Sequence, residues 1–178
     1  MTRTRRTLVL LATAAVVAAC ASGCSAASPP TAPAPSATAP AADPAVDYRD
    51  PERVCRAFAV ALHRVDTSVD GGPAEAYRRA TAYMDATLAA AVAAQPPVPQ
   101  TPQWQQWAAH GVYLDVQVGP YAGDALPPAT DGVQHHAAVV TAWPIGRDGW
   151  RGPAQRRTVV CTLRLGDAGW RVAGYETG

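Results

Sequence analysis

At Gly111 the hydrophobic period changes, and it does not change back. Ahead of it apolar residues recur every three or four positions, as in helices with one buried stripe; beyond it they alternate every second residue, as in half-buried strands. Helices first and strands afterwards exclude an alternating parallel sheet. They predict an α+β domain, with N-terminal helices packed on one face of an antiparallel sheet of about four strands.

The local signals agree. Asp50 can cap a helix that Pro51 opens, and Val54, Phe58, Ala61, Leu62 and Val65 share its buried face as far as about Asp66. Cys55 points the same way. Pro73 opens a second helix, PAEAYRRATAYM, which Asp85 interrupts and restarts before Pro96 and Pro97 stop it. Thr101 caps a short helix, PQWQQWAAH, on which Trp104 and Trp107 lie three apart, as a core pair closing one end of the domain would. In the first strand Val112, Leu114, Val116 and Val118 alternate with Tyr113, Asp115 and Gln117. In the second Val133, His135, Ala137, Val139, Thr141, Trp143 and Ile145 share a face. The third groups Val159, Cys161, Leu163 and Leu165, and GDAG turns it into a fourth from Trp170 to Tyr175. This last hairpin belongs at the centre or the far wall of the sheet.

Residues ahead of Asp50 read differently. MTRTRRT is basic, Leu8 to Ala19 is apolar, and CASGCS supplies small residues, together a secretory signal covering residues 1–23. Twelve apolar residues fall short of the roughly 20 a membrane-spanning helix needs. VAAC and ASGC both resemble a bacterial lipobox, with Cys20 or Cys24 as the lipidated residue. Cleavage before Cys24 leaves an even pair behind it, Cys55 and Cys161, and is favoured on that ground. The arginine pair before the apolar run fits general export and twin-arginine export alike. Residues 24–49 are rich in proline and alanine, with six prolines between Pro29 and Pro44. They read as a disordered tether that in polyproline geometry reaches up to about 70 Å. The folded domain is then 50–178, held at the outer face of the cell membrane through an N-terminal lipid. In that oxidising compartment two cysteines on facing core surfaces predict a Cys55–Cys161 disulfide.

Charge limits the partners. All 15 basic residues are arginine, which points to a GC-rich genome; removing Arg3, Arg5 and Arg6 with the signal leaves 12 against 14 acids. A phosphate-backbone binder has the opposite balance, so no nucleic acid is expected. His63 and His110 lack a ligand partner at helical spacing, and His135 and His136 point to opposite faces of a strand, so no metal is expected. No phosphate-binding glycine loop, nucleophile elbow or Cys-x-x-Cys is present, and no cofactor is implied. Candidate partner-contact residues are Arg147, Trp150, Arg151, Arg156 and Arg157, because arginine and tryptophan dominate binding hot spots. The competing reading folds Trp150 back onto the sheet and leaves the arginines solvated.

The stretches PERVCRAFAVALHRVDTSVDGGPAEAYRRATAYM, QWAAHGVYLDVQV and GRDGWRGP, with the terminal GWRVAGYE, resemble nuclear transport factor 2-like domains. More narrowly they resemble small exported actinobacterial proteins associated with conjugative and type IV secretion gene sets. The resemblance covers about Asp50 to Gly178. It implies a cone-shaped, cystatin-like fold with a curved sheet, and membrane secretion or conjugation proteins as partners. Members of the assembly component of those systems usually carry a membrane helix, where this chain carries a lipobox. Some proteins with this cone are enzymes, which implies Tyr77, Tyr83, Asp115, Tyr121, His135 and His136 as conceivable pocket residues. A non-enzymatic binding or assembly module is the first expectation; a small-molecule-binding or catalytic cone is the alternative.

Overall fold

The computed structural model describes residues 40–178; the signal, Cys20, Cys24 and most of the proline-rich stretch lie outside the described residues. Among those described, the chain runs α1 (Pro51–His63), α2 (Ala74–Ala80), a 3-10 turn (Thr81–Tyr83), α3 (Ala86–Ala93), α4 (Pro102–Ala109), β1 (Tyr113–Pro120), β2 (Val133–Ile145), β3 (Gln155–Gly166) and β4 (Gly169–Thr177). The strands form one antiparallel meander in the order β1-β2-β3-β4, so the terminal hairpin is the far wall of the sheet. The fold is α+β, with the helices against one face of a curved sheet that does not close. None of the described helices is long and apolar enough to cross a membrane.

Capping sets the helix starts. The side chains of Asp50, Asp85 and Thr101 accept from the backbone N–H of Arg53, Leu88 and Trp104, three residues on in each case. The helix α1 ends at His63, short of Asp66, because Arg64 turns extended. The residues beyond it serve the sheet instead. Leu114 N–H donates to Val65 O (2.9 Å) and Thr67 N–H donates to Val112 O (2.9 Å), covering the start of the β1 edge. The second helix likewise tightens into the 3-10 turn after Ala80, so that Met84 and Asp85 can pair with β4 through Asp85 N–H and Val172 O (2.9 Å).

Packing joins α1 to the sheet. Phe58, Val54, Met84, Val140, Val159, Leu163 and Val172 are all fully buried in one cluster. Cys55 and Cys161 are disulfide-bonded in its midst, with Cα atoms 5.9 Å apart. A second cluster joins Trp107, Val112, Leu114 and Ala142, and Trp104 is buried as well. Both tryptophans are core residues, as their spacing suggested.

Three details depart from the sequence reading. The folded part begins before Asp50: Val46 and Tyr48 pack on the core, and Trp170 N–H donates to Tyr48 O (2.7 Å). This strap lies so close to the β3–β4 turn that a Cβ on Gly169 would stand 2.5 Å from Tyr48 O, and Gly169 also holds φ +91°. Beneath it Arg171, buried and without a carboxylate partner among the described residues, lies 4.0 Å from the Tyr48 ring centroid and donates to Ala82 O (2.6 Å). Leu165 does not continue the buried face of β3. A register shift between Thr162 and Leu163 precedes it, and it ends 52 % exposed.

The third departure concerns β2. Its fully buried residues are Ala138, Val140, Ala142 and Pro144, the parity opposite to the one that groups Val139, Trp143 and Ile145. Val140 packs in the cluster around α1, and Ala142 packs in the Trp107 cluster. The larger apolar side chains look the other way.

Candidate functional site

The β2–β3 loop, which carries three of the five candidate contact residues, folds back on itself. Gly146 N–H donates to Trp150 O (2.7 Å), Trp150 N–H donates to Asp148 Oδ1 (2.9 Å), and Gly152 N–H donates to Pro144 O (3.0 Å). A Cβ on Gly146 would meet Asp148 Oδ1 at 2.7 Å, Trp150 Cβ at 3.0 Å and His110 O at 3.1 Å, so a larger residue here would push the loop back from the end of α4.

Arg147 is held down. It donates to Asp66 Oδ2 (2.8 Å) and to Gly111 O (2.7 Å), and its guanidinium lies over the Tyr113 ring at 5.6 Å. That hydrogen bond holds the Asp66 carboxyl below the usual carboxylate range. Trp150 stacks on the His110 imidazole, with centroids 4.9 Å apart, and packs against the Trp107 cluster. His110 Nδ1 in turn pairs with Asp148 Oδ2 at 2.7 Å, which lowers the Asp148 carboxyl. Trp150 is therefore folded back, against the α4–β1 junction, while Arg147 is paired where that alternative leaves it solvated: together they clasp the loop to the junction. Arg151, Arg156 and Arg157 are exposed. The five residues split into Arg147, exposed but paired, Trp150, half-buried in the clasp, and an exposed set of three.

The conceivable cone residues do not converge. Tyr83 is buried and donates to Asp43 Oδ2 (2.7 Å); burial first, and Asp43 second, push its phenol well above its ordinary range. Tyr77 is 37 % exposed on α2, and Asp115 is exposed on the sheet face turned away from the helices. Tyr121 is half-buried just after β1. His135 Nδ1 meets Thr162 Oγ1 (3.3 Å) while His136 Nε2 meets Gln134 Oε1 (3.1 Å), one on each face of β2. No group of three metal-ligating side chains occurs among the described residues. A cleft of about 560 Å³ between α1 and β1 is lined by Val60, Arg64, Asp115 and Val116, and one of about 680 Å³ by Tyr77, Val92 and Val98. Neither reaches Phe58, Met84 or Leu163.

No family model, curated protein or solved structure matches the chain.

The clasp was not legible in the sequence. Asp66 and Arg147 lie 81 positions apart, and His110 and Asp148 lie 38 apart, so no local spacing announces either pair. The one available signal was Gly146 beside an Asp-Gly turn, which marks a tight loop without saying what it meets.

One electrostatic consequence is measurable. Burial, more than any other influence, depresses the His63 imidazole, and the nearby Arg157 charge adds to it, against the pull of Ala59 O. Above the ordinary imidazole pKa of 6.5 both folded and unfolded chains hold His63 neutral. As pH falls below it, the unfolded chain takes up a proton that the folded chain refuses, so stability falls until the folded pKa is passed. Urea midpoints should drop between about pH 7.5 and about pH 5.5. His63→Gln should make that drop smaller, and an unchanged drop would assign the effect elsewhere.

Proposed function

We propose that this chain is a non-enzymatic, lipid-anchored binding or assembly module at the outer face of the cell membrane, accessory to conjugation or type IV secretion machinery. The observation that carries the reading is the filled interior. Phe58, Met84, Leu163 and the Cys55–Cys161 disulfide occupy the space between α1 and the sheet. Enzymes that use such a cone keep that space for substrate. The titratable candidates are dispersed over both faces of the sheet and the helices, and general acid–base chemistry needs them within hydrogen-bond reach of one reacting atom. The disulfide suits an oxidising compartment. The lipobox supports a membrane anchor, and the resemblance of the quoted stretches supports the secretion setting.

In cells fed a labelled fatty acid, the protein should become labelled. Cys24→Ser should abolish the label while Cys20→Ser preserves it; the reverse result would move the anchor to Cys20.

The function itself is tested by in-cell crosslinking of the tagged full-length protein and mass spectrometry of what it holds. The control variant combines Arg151→Ala and Arg157→Ala, leaving the Arg147–Trp150 clasp intact. Recovery of membrane secretion components from the parent, and their loss from the variant, supports the module and its contact. If no protein is held while a small molecule copurifies, the reading fails.

A further inference from the structure

The edge of β1 away from β2 is covered at its two ends and open between them. At one end Leu114 N–H donates to Val65 O (2.9 Å), and at the other Val118 O accepts from the Arg56 guanidinium (2.9 Å). Backbone groups alternate sides along a strand, so Val116, of the same parity, turns its N–H and C=O to that edge as well. No described residue meets them, nor the Leu114 C=O or the Val118 N–H. Immediately ahead of Val65 the chain belongs to α1 and its cap, so it covers no more of the edge. A row of unpaired backbone groups is a template for a further strand.

Beside this edge lies the cleft of about 560 Å³, whose α1 wall carries Val60 and Arg64. Arg56, Val60 and Arg64 are four residues apart and form one stripe of the helix. Neither arginine joins an ion pair among the described residues. The carboxylates nearby leave them free. Asp66 is taken by Arg147, and Asp115 borders the cleft with a side chain that alternates to the opposite face of β1. Glu52, one turn ahead of Arg56, lines no part of the cleft.

We propose that this groove takes an extended acidic peptide of a partner protein, added to the sheet as a strand beside β1. The inference rests on the reading of the chain as a binding module and adds the chemistry of a partner. Hydrogen bonds to Leu114, Val116 and Val118 set the peptide's path whatever its sequence, and the α1 stripe selects the side chains that face it. Eight residues of helix put Arg56 and Arg64 about 12 Å apart, and four residues of strand cover about 13 Å. A peptide with acids four apart and an apolar residue midway therefore offers a carboxylate to each guanidinium and an aliphatic side chain to Val60 and Val116. Residues 24–39 of the chain itself do not fit, since they hold four prolines, which lack the N–H that strand pairing needs, and no acid.

The test is fluorescence anisotropy of a labelled, end-capped peptide, Thr-Glu-Thr-Val-Thr-Glu-Thr, titrated with full-length protein in neutral detergent. Saturable binding is expected below about 1 mM. Arg64→Glu should weaken it about tenfold, and Arg56→Glu/Arg64→Glu should prefer the peptide with arginine in place of both glutamates. An unchanged urea midpoint with the disulfide retained shows that each variant folds. Backbone pairing is read on the unaltered protein. N-methyl groups on the glutamates and valine, or on the threonines, block opposite edges of the peptide, and only one of the two sets should abolish binding. No saturation by about 1 mM overturns the proposal, as does equal binding of both methylated peptides. Displacement by inorganic polyphosphate as readily as by unlabelled peptide would also overturn it, because charge alone would then explain the binding. Arg151→Ala/Arg157→Ala, the crosslinking control for the module, should leave peptide binding unchanged, so the groove and the module fail separately.

Discussion

Reducing the Cys55–Cys161 disulfide should lower stability by about 3 to 5 kcal/mol, enough to shift a thermal transition by about 10 °C or more. The bond joins residues 106 positions apart, so it closes most of the folded part of the chain, all but the Tyr48 strap and β4 among its core elements. A long closed loop removes the most freedom from the unfolded chain, and folded domains of this kind hold only about 5 to 15 kcal/mol in total. Both cysteines are buried, at 1 % and 0 % exposure, so reductant reaches the bond only when α1 lifts from β3. Denaturant titrations with and without reductant, and of the Cys55→Ala/Cys161→Ala double variant, measure the effect. The variant should fold poorly at 37 °C. A shift below about 1 kcal/mol would mean that packing between α1 and β3 alone holds the domain.

Phe58→Ala should cost a similar amount, about 3 to 5 kcal/mol, because the change leaves a cavity that the surrounding groups fill only in part. Phe58 is the chain's sole phenylalanine and is fully buried. It sits on α1 one turn after Cys55, and its ring meets that of Tyr175 on β4 edge to face, 5.0 Å apart. The residue therefore ties the first helix to the last strand. Urea titration of Phe58→Ala, Tyr175→Leu and the double variant should show the double costing less than the sum, by about 0.5 to 1.5 kcal/mol. Strict additivity would deny the ring contact. The Phe58 loss should be the larger of the two single effects, since Tyr175 is only half-buried.

These two expectations come from residues whose positions were readable in advance. Cys55 and Phe58 lie on one helical face by spacing, and Cys161 lies on the buried face of a strand by alternation. Candidate site residues were harder to place. Arg147 and Trp150 have the composition of a binding hot spot, yet Asp66, Gly111 and His110 engage them within the fold. Composition reports what a side chain can do, whereas its partners decide whether it is free to do it. Arg151, Arg156 and Arg157 remained solvent-facing.

By itself, the sequence determined the class of fold, the order of the elements, the Asp50 and Thr101 caps and the pairing of two cysteines. Each rests on local rules: periodicity, capping chemistry, and parity along one element. Only the tertiary structure decided which face of β2 meets the helices, where α1 stops, and that Val46 and Tyr48 join the domain ahead of Asp50. Those outcomes depend on residues far apart in the chain. Two-residue alternation separates the faces of a strand but does not say which is inward when both are apolar; the packing of Val140 into the α1 cluster and of Ala142 into the Trp107 cluster settles it.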